Sequence, residues 1–324
     1  MRIVAALGGN ALLQRGQSPD AEIQESNAVR AVRALAPLAL EHELVITHGN
    51  GPQVGVLALQ SASDPNLTTP YPFDVLGAQT QGMIGYWLLQ AMQNASSGRQ
   101  VAAIINQTLV RADDPALDNP TKFVGEVYDE TEAKRLAQQR GWIVKPDGVH
   151  WRRVVGSPRP ERVVETRLIR LLLSSGAIVI CAGGGGVPVI RNEQGLLEGI
   201  EAVVDKDMTS SVLAEALEAD ALLVLTDVPG VQEGFGTPDA RLIRRATPAA
   251  MRRTDFPAGS MGPKVDAVCR FVELTGDLGA IGRLEDVAAI LRGEAGTVIT
   301  PSGEYQGSPD PLPAAAHEAP PAAG

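Results

Sequence analysis

Three glycine-containing segments stand out in the sequence because each follows a short apolar run that is typical of a buried strand. They are Gly8, Gly9 and Asn10; Gly49, Asn50 and Gly51; and a run of four glycines that begins at Gly183 and Gly184. Glycine lets backbone N–H groups approach an anion closely, and a helix that begins nearby adds partial positive charge. Open α/β sheets bind ligands at the carboxyl ends of their strands. The three segments therefore predict one pocket for a small oxyanion and a phosphate chain.

A phosphate pocket needs cations, and lysine is the scarce cation of this chain. Of the 28 lysines and arginines, only five are lysines, at positions 122, 134, 145, 206 and 264. The chain thus uses arginine for ordinary surface charge. Lysine is expected where a compact, mobile charge has to follow a transferring phosphoryl group. Lys122, Lys206 and Lys264 lie in the loop-like segments "NPTKFVG", "VDKDMTS" and "AGSMGPKV", and we predict that these three act on phosphate.

The neighbours of these lysines indicate how each could be held. Lys206 lies between Asp205 and Asp207, so a carboxylate can orient it. Lys264 is in the first turn of a predicted helix, where the helix dipole also favours anions. Lys122 lies in a polar insertion and can approach the pocket from outside. Taken singly, each lysine would more often be a solvated surface charge, but their joint occurrence in these segments favours function.

Two common nucleotide-binding motifs do not match the glycine segments. No lysine follows Gly8 and Gly9 at the spacing of G-x-x-x-x-G-K, so the first segment is not a P-loop. Pro188 stands where the last glycine of G-x-G-x-x-G would be, so the third segment is not a dinucleotide-binding loop. The cation that neutralises phosphate beside Gly8 must therefore come from elsewhere in the chain.

Composition and charge narrow the class of protein. The chain has 324 residues and a formal net charge of −10, which argues against general binding to nucleic acid or to an acidic membrane surface. Its two cysteines, far apart in the sequence, give no disulfide framework and no metal-ligand spacing. No apolar run approaches the roughly 20 residues of a membrane span, and the first residues predict a strand rather than a signal peptide. We therefore expect a soluble cytoplasmic protein whose partners are small molecules, with no nucleic acid, membrane or dedicated metal site.

Apolar runs typical of strands alternate with helical periodicity along the chain. This alternation predicts an α/β fold, a three-layer αβα sandwich around an open, mainly parallel sheet. Residues 3–7 predict a strand, residues 73–92 a long helix, and "VAAIINQTLV", residues 101–110, a further strand. Residues 112–162 are polar and too long for a connection in a compact domain, so they predict a small protruding insertion. Residues 301–324, rich in proline, alanine and glycine, predict a disordered tail.

Eight motifs taken together resemble the carbamate kinases of the amino acid kinase family. In chain order they are "ALGGNALL", "THGNGPQVG", "LGAQTQGMIGYWL", "NPTKFVG", "AGGGGVPV", "VDKDMTS", "LTDV" and "AGSMGPKV". The resemblance covers residues 1 to about 300, and "NPTKFVG" and "AGSMGPKV" are its more specific motifs. Other members, such as acetylglutamate kinase and uridylate kinase, carry a lysine just before the first Gly-Gly, where this chain has alanine and leucine. The resemblance implies that Lys122, on the insertion, takes over that duty.

The resemblance implies reversible phosphoryl transfer between ATP and carbamate, giving ADP and carbamoyl phosphate. It implies use of the reaction to make ATP in a catabolic route such as arginine fermentation, Mg²⁺ carried on the nucleotide phosphates, and a homodimer. Residues 1–195 would form the carbamate side and residues 196–300 the nucleotide side. The implied catalytic residues are Lys122, Lys206, Asp207 and Lys264; the implied ligands of carbamate or carbamoyl phosphate are Gly8, Gly9, Asn10, Gly49, Asn50, Gly51, Gly183 and Gly184; and the implied nucleotide-binding residues are Lys206, Thr226, Asp227, Val228, Met261, Gly262 and Lys264.

Two alternative functions stay open. Another acyl-phosphate kinase of the same family is disfavoured by the missing lysine near Gly8 and by the presence of "NPTKFVG". A non-catalytic sensor of carbamoyl phosphate or nucleotide belongs to a different class. A sensor would not require the three lysines and Asp207 together, so their joint presence favours an enzyme.

Several conspicuous residues are better explained by packing than by chemistry. His48, next to the second glycine segment, is predicted to pack structurally, because carbamate is already an oxyanion nucleophile and needs no base. Cys181, at the end of a buried strand, is predicted to be a small core residue. The apolar residues 86–88 and Met92 exceed a simple amphipathic stripe, which predicts either core or a dimer face.

Overall fold

The computed structural model describes residues 1–307 except 15, 97, 238, 255 and 257–260. The strands are β1 (Arg2–Leu7), β2 (Glu43–His48), β3 (Val101–Ala103), β4 (Gln107–Val110), β5 (Lys122–Tyr128), β6 (Ile143–Asp147), β7 (His150–Val155), β8 (Pro160–Val163), β9 (Ile178–Cys181), β10 (Val187–Arg191), β11 (Leu197–Gly199), β12 (Ala221–Thr226), β13 (Gln232–Glu233), β14 (Arg241–Ala246), β15 (Leu278–Arg283), β16 (Thr297–Ile299) and β17 (Gln306–Gly307). The α-helices are α1 (Ala21–Glu41), α2 (Gly51–Ser63), α3 (Phe73–Ala95), α4 (Pro115–Asp118), α5 (Glu130–Arg140), α6 (Thr166–Ser174), α7 (Lys206–Ala216), α8 (Pro248–Met251), α9 (Met261–Thr275) and α10 (Val287–Leu291).

The main sheet is largely parallel, which confirms the predicted fold class. Its strand order is β13-β14-β16-β15-β12-β1-β2-β9-β3, and β17 also pairs with β14. The six neighbouring strands from β15 to β3 all run parallel, whereas antiparallel pairs occur at the other end of the sheet. Because parallel strands have their carboxyl ends at one edge, the glycine segments that follow β1, β2 and β9 emerge side by side.

Alternating side chains of the buried strands divide the core into two layers. In β1, Ile3 and Leu7 pack with residues of α1 and α3 on one face of the sheet. Val4 and Ala6 pack with residues of α7 and α9 on the other face. All four side chains are fully buried, as expected for parallel strands that are covered by helices on both faces. The molecule is therefore the three-layer αβα sandwich that the alternation of strands and helices predicts.

The protruding insertion is built from a three-stranded antiparallel sheet, β5-β7-β6, and the helix α5. It leaves the core after β4 and returns to it in β8, and these two strands pair antiparallel. At its base the Asp114 carboxylate accepts a hydrogen bond from the Arg159 backbone N–H at 2.9 Å. Residues 160–162, which lie inside the predicted insertion, belong instead to β8 and the sheet β11-β10-β4-β8.

The insertion packs closely against α2, the helix that begins directly after the second glycine segment. Gly55 in α2 lies against Gly125 in β5, so that a Cβ on Gly55 would be 3.5 Å from the Gly125 Cα. Beside this contact Val54, Val124 and Val155 form one buried apolar cluster. The insertion is thus held over the edge of the sheet at which the glycine segments emerge.

Two elements differ from the sequence-based expectation. The run "VAAIINQTLV" is not one strand but two, because β3 belongs to the main sheet and β4 to the four-stranded sheet. The expected tail begins later than residue 301, since β17 at 306–307 pairs with β14 and the Tyr305 hydroxyl donates to the Glu233 carboxylate at 3.1 Å. The rest of that segment, 308–324, lies outside the described residues. Among the described helices, none has the length and apolar content to cross a membrane.

Candidate active site

The first two glycine segments touch each other backbone to backbone. The Gly8 N–H donates to the Leu225 carbonyl at 2.8 Å, and the Gly49 N–H donates to the Leu7 carbonyl at 3.0 Å. A Cβ on Gly49 would lie 2.8 Å from the Gly9 backbone nitrogen, so only glycine allows this approach. Asn10 lies in the single 3₁₀ turn Gly9–Ala11 that follows β1. The segments after β1 and β2 therefore form one continuous backbone surface.

The third glycine segment packs onto the second through side chains. Gly184 has a φ of 62°, and a Cβ there would overlap the Asn50 side-chain amide. That amide is buried and donates to the Thr80 hydroxyl at 2.8 Å. Gly183 in turn lies against the His48 ring. The structure thus brings all three segments together, with Gly51 as the first residue of α2.

Buried amides hold the third segment in place, and sequence reasoning missed them. The Asn106 Oδ1 accepts from the Ala182 N–H at 2.6 Å, and Ala182 has a positive φ of 51°. The Gln81 side-chain amide makes two hydrogen bonds to the Asn106 backbone: it accepts from the Asn106 N–H at 3.0 Å and donates to the Asn106 carbonyl at 3.1 Å. The break between β3 and β4 follows from this arrangement. The signal in the sequence was a polar "NQT" inside an otherwise apolar run.

The helix α7 brings "VDKDMTS" to the same edge of the sheet. Its N-cap is Asp205, whose Oδ1 accepts from the backbone N–H groups of Asp207 and Met208 at 3.0 and 3.2 Å. The helix is anchored by polar contacts that are fully buried: the Ser210 and Thr47 hydroxyls are 2.7 Å apart. A carboxylate cap satisfies the free N–H groups of the first turn, and it fixes the direction in which Lys206 leaves the helix.

Asp207 is the centre of a buried cluster of charges. Its Oδ1 lies 2.6 Å from the Lys206 Nζ, and its Oδ2 accepts from the Lys264 Nζ at 2.8 Å. The Asp207 side chain is 5 % exposed, the Lys206 side chain 10 % and the Lys264 side chain 20 %. One carboxylate therefore holds the ammonium groups of two helices, α7 and α9, in a fixed arrangement.

Burial and charge move the pKa values of this cluster in different directions. Burial lowers the pKa of Lys206, and the neighbouring Lys264 lowers it further, against the opposing pull of Asp207. Burial raises the pKa of Asp207, but the two lysines outweigh burial and hold it below its ordinary value. Burial also lowers the pKa of Lys264, but Asp207 outweighs it, so the net shift is upward. At neutral pH the Asp207 carboxylate is charged.

Lys122 reaches the same helix terminus from the insertion. Its Nζ lies 3.1 Å from the Asp205 Oδ2, the oxygen that does not cap α7. This pair is more open than the Asp207 cluster, with side-chain exposures of 40 % for Lys122 and 26 % for Asp205. The sequence indicated that a neighbouring carboxylate, Asp205 or Asp207, could orient Lys206; in the structure Asp207 contacts Lys206, and Asp205 pairs with Lys122. Three of the chain's five lysines thus meet at the tripeptide Asp205-Lys206-Asp207.

The residues expected on the nucleotide side lie at the ends of β12 and α9. Thr226 ends β12, and its hydroxyl donates to the Asp227 carboxylate at 3.1 Å. The Asp227 charge is one of the smaller contributions to the raised pKa of Lys264. Val228 follows in the loop, and Met261 and Gly262 are the first residues of α9. Lys264 follows in the first turn of the same helix, α9.

His48 and Cys181 are buried, and burial keeps both side chains uncharged at neutral pH. Burial lowers the pKa of His48 to about 4, and its Nδ1 lies 3.1 Å from the Gly49 carbonyl. The ring is therefore neutral at pH 7 and packs against Gly183. Burial raises the pKa of the Cys181 thiol to about 12, so it carries no thiolate at neutral pH. Both residues fit the structural role that the sequence predicts.

The arrangement is suited to a group that carries several negative charges. Three ammonium groups and two carboxylates share one sheet edge with a continuous glycine backbone. Among the described residues no cluster of three or more histidine, cysteine, aspartate or glutamate side chains could hold a metal ion. Positioned ammonium groups and a glycine-rich backbone can stabilise a phosphoryl group during its transfer, a reaction that needs positioning and charge rather than covalent catalysis.

Comparison with known proteins shows that the chain as a whole is similar to kinases. The family model described as the amino acid kinase family matches residues 1–277. A carbamate kinase of Rhizobium meliloti (strain 1021) is 52 % identical over 306 residues, which is 93 % of this chain and 94 % of that protein. A carbamate kinase of Pyrococcus furiosus is 47 % identical, covering 93 % of this chain and 99 % of that protein. The structure of a carbamate kinase from Giardia lamblia bound to AMP-PNP is 38 % identical, covers 92 % of this chain and 98 % of that one, and superposes with a TM-score of 0.85.

Proposed function

The chain belongs to the amino acid kinase family, and from that premise we propose that it is a carbamate kinase. It transfers a phosphoryl group between ATP and carbamate, giving ADP and carbamoyl phosphate. The observation that carries the assignment is the convergence of Lys122, Lys206 and Lys264 on Asp205-Lys206-Asp207. A chain with only five lysines brings three of them, from three separate elements, to one point beside its glycine segments.

The glycine segments are the proposed site for carbamate or carbamoyl phosphate. The segment Gly8, Gly9 and Asn10 after β1 and the segment Gly49, Asn50 and Gly51 after β2 supply a close backbone surface and the N-terminus of α2, which favours anions. The Gly8 and Gly49 N–H groups donate to the Leu225 and Leu7 carbonyls, so these two glycines contribute by allowing close approach. Gly183 and Gly184 close the site on a third side; Gly184 packs against the Asn50 side chain, and Asn106 holds the preceding residue, Ala182. In this proposal residues 1–195 carry the carbamate side of the enzyme.

Lys206 and Lys264 act on the phosphoryl group as it passes between donor and acceptor. Asp207 keeps both ammonium groups in place and keeps them charged, so that no reorganisation is needed during transfer. Lys122 supplies the positive charge on the carbamoyl side that other members of the family place next to the first glycines. The carbamate oxygen is already anionic, so no protein base has to remove a proton, in agreement with the neutral, buried His48.

The nucleotide occupies the side formed by residues 196–300. The residues proposed to bound the nucleotide phosphates are those at the end of β12 and at the start of α9, the helix that carries Lys264: Thr226, Asp227, Val228, Met261 and Gly262. Mg²⁺ binds to those phosphates in this proposal. Mg²⁺ commonly keeps several waters and takes one or two carboxylates besides phosphate oxygens, so Mg²⁺ carried on the nucleotide phosphates needs no cage of acidic side chains.

The proposed setting is ATP formation in the cytoplasm, at the end of a catabolic route such as arginine fermentation that yields carbamoyl phosphate. The proposed assembly is a homodimer through α3. Trp87, Leu88 and Met92 are buried in the core, whereas Tyr86 is 55 % exposed on the outer face of that helix. No charged residue occurs between Asp74 and Arg99. An uncharged exposed helix face beside the sheet edge β3 is suited to a second copy of the chain.

The test is ATP formation from ADP and carbamoyl phosphate, measured with and without Mg²⁺ and beside acetyl phosphate. We expect turnover with carbamoyl phosphate that depends on Mg²⁺ and far exceeds turnover with acetyl phosphate. Equal or faster turnover with acetyl phosphate would contradict the substrate assignment. Tight nucleotide binding without any turnover would indicate a sensor instead of an enzyme.

A further inference from the structure

Asp205 uses its two carboxylate oxygens for two different structural units. Oδ1 caps α7 and so belongs to the helix that carries Lys206 and Asp207. Oδ2 binds the Lys122 Nζ, which belongs to the insertion and is 83 residues away in sequence. One side chain thus connects the first turn of the catalytic helix directly to the lysine that arrives from outside.

The segment leading into α7 is the surface on which the insertion rests. The Val203 N–H donates to the Gly156 carbonyl at 3.0 Å, and Glu201 forms an ion pair with Arg153 of β7. The Arg153 guanidinium also lies over the Phe73 ring at 4.9 Å. The last of these contacts along the segment is the ion pair of Asp205 with Lys122 of the insertion. The position of the insertion and the position of the α7 terminus are therefore coupled through residues 201–205.

We propose that Asp205 is a positioning residue for phosphoryl transfer: it holds the Lys122 ammonium group at the α7 terminus, the helix end that also carries Lys206 and Asp207, before substrate binds. This role rests on the proposed function and assigns a task to a carboxylate that touches neither lysine of the buried cluster. A lysine on a flexible stem that is 40 % exposed has many rotamers. Asp205 selects the rotamer that points at the phosphate site.

A purely stabilising role for this ion pair is a poor explanation. Half-exposed ion pairs contribute little to folding because water and salt screen them. The pair Lys134–Glu130 on α5 is more exposed, at 59 % and 56 %, and lies within one helix. In contrast, the Asp205 charge also acts on the buried cluster: it opposes the lowering of the Lys206 pKa by burial and contributes to raising the pKa of Lys264. Asp205 is thus electrostatically linked to all three lysines.

The test is a double-mutant cycle in turnover between Asp205→Asn and Lys122→Ala. Asparagine caps a helix as well as aspartate does, so Asp205→Asn keeps α7 and removes the charge that holds Lys122. We expect kcat to fall about 10- to 100-fold, the scale of a small misplacement of a catalytic group, with the KM for ADP unchanged. In the Lys122→Ala background the same substitution should lower kcat no further. Glu130→Gln is the matched control and should leave kcat as in the wild type.

A second readout does not depend on turnover. An activated ester acylates a lysine whose side chain is free to meet it faster than one whose ammonium group is held by a carboxylate, as those of Lys122 and Lys134 are. Asp205→Asn should speed the labelling of Lys122, followed by mass spectrometry, while Glu130→Gln should speed the labelling of Lys134 alone. If Asp205→Asn does not fold, Asp205→Ser replaces it, since serine also caps a helix but is too short to reach Lys122.

The outcomes separate the two proposals. Wild-type kcat in Asp205→Asn, an equal loss in the presence and absence of Lys122, or unchanged labelling of Lys122 would each overturn the role of Asp205. A wild-type protein that makes no ATP from carbamoyl phosphate would overturn the proposed function, and the labelling arm would still decide whether Asp205 holds Lys122.

Discussion

The two lysine–carboxylate groups at the candidate site are built differently. In the first, Asp207 is buried between Lys206 and Lys264, and all three groups sit on helices of the core. In the second, Asp205 meets Lys122, which sits on the first residue of β5 in the insertion, and both side chains are partly exposed. The buried group is fixed by packing, whereas the exposed one depends on how the insertion rests on residues 201–205.

This difference favours different tasks for the two groups in the proposed reaction. A charge that is buried and paired cannot move without a large loss of free energy, so the Asp207 cluster provides the fixed part of the site. A partly exposed ion pair is weak and can exchange partners, so Lys122 can leave or share Asp205 when a phosphate arrives. A site that must admit and release a small charged substrate benefits from having both a fixed group of charges and an ion pair that can exchange partners.

The largest expected effect follows from breaking the buried group with Asp207→Asn. This change leaves the buried Lys206 and the adjoining Lys264 without their shared counter-charge, which we expect to cost about 3–5 kcal/mol of unfolding free energy. Turnover should fall at least about 10³-fold, because the Lys206 and Lys264 ammonium groups lose the carboxylate that positions them. Urea unfolding and ATP formation measure the two effects. Asp205→Asn is the control for stability, and a similar loss of stability in both variants would contradict the contrast between the two groups.

The second expected effect is a pH dependence that arises in the buried group. The pKa of Lys206 is lowered, mainly by burial, below its ordinary value of 10.5. Its charge is present below that lowered pKa and is lost as the pH rises through it, so kcat should fall on the alkaline side at a lower pH than a free lysine would require. Lys264, whose pKa is raised, stays charged over this range. A kcat profile that stays flat up to the pH at which free lysine titrates would contradict the assignment of Lys206.

The smallest expected effect lies outside both groups, at the end of the described chain. Deleting residues 304–324 removes β17 and the hydrogen bond from the Tyr305 hydroxyl to Glu233, whereas deleting 308–324 removes none of the contacts that the structure describes. We expect the longer deletion to lower the melting temperature by about 1–3 °C relative to the shorter one, as loss of one exposed hydrogen bond and a two-residue strand would. Turnover should be equal in the two variants. Identical melting curves would show that β17 contributes nothing to stability.

Much of the fold and part of the site could be predicted because local signals agree with the tertiary structure. Apolar runs with helical stretches between them are enough to predict a parallel sheet, and a parallel sheet brings its glycine segments to one edge. The scarcity of lysine then pointed to Lys122, Lys206 and Lys264. These inferences need only the order of elements along the chain and the chemistry of single residues.

The rest could not be predicted because it depends on contacts between distant residues. The pairing of Asp205 with Lys122 requires the insertion to return over α7, and nothing near Asp205 in the sequence distinguishes Lys122 from the adjacent Lys206. The division of residues 101–110 into two strands depends on the Asn106 side chain reaching Ala182. The pairing of 306–307 with β14 likewise depends on a sheet edge that local composition does not reveal.

The central claim is that a lysine on the insertion completes a phosphoryl-transfer site on the core, and turnover of Lys122→Ala beside Lys134→Ala tests it most directly. Both lysines belong to the insertion and both form an ion pair with one carboxylate. Lys122→Ala should lower ATP formation from carbamoyl phosphate at least about 10²-fold, the loss typical of one preorganised charge, with ADP affinity and melting temperature nearly unchanged. Lys134→Ala should match the wild type. Equal turnover in the two variants would show that Lys122 is ordinary surface charge and would contradict the account.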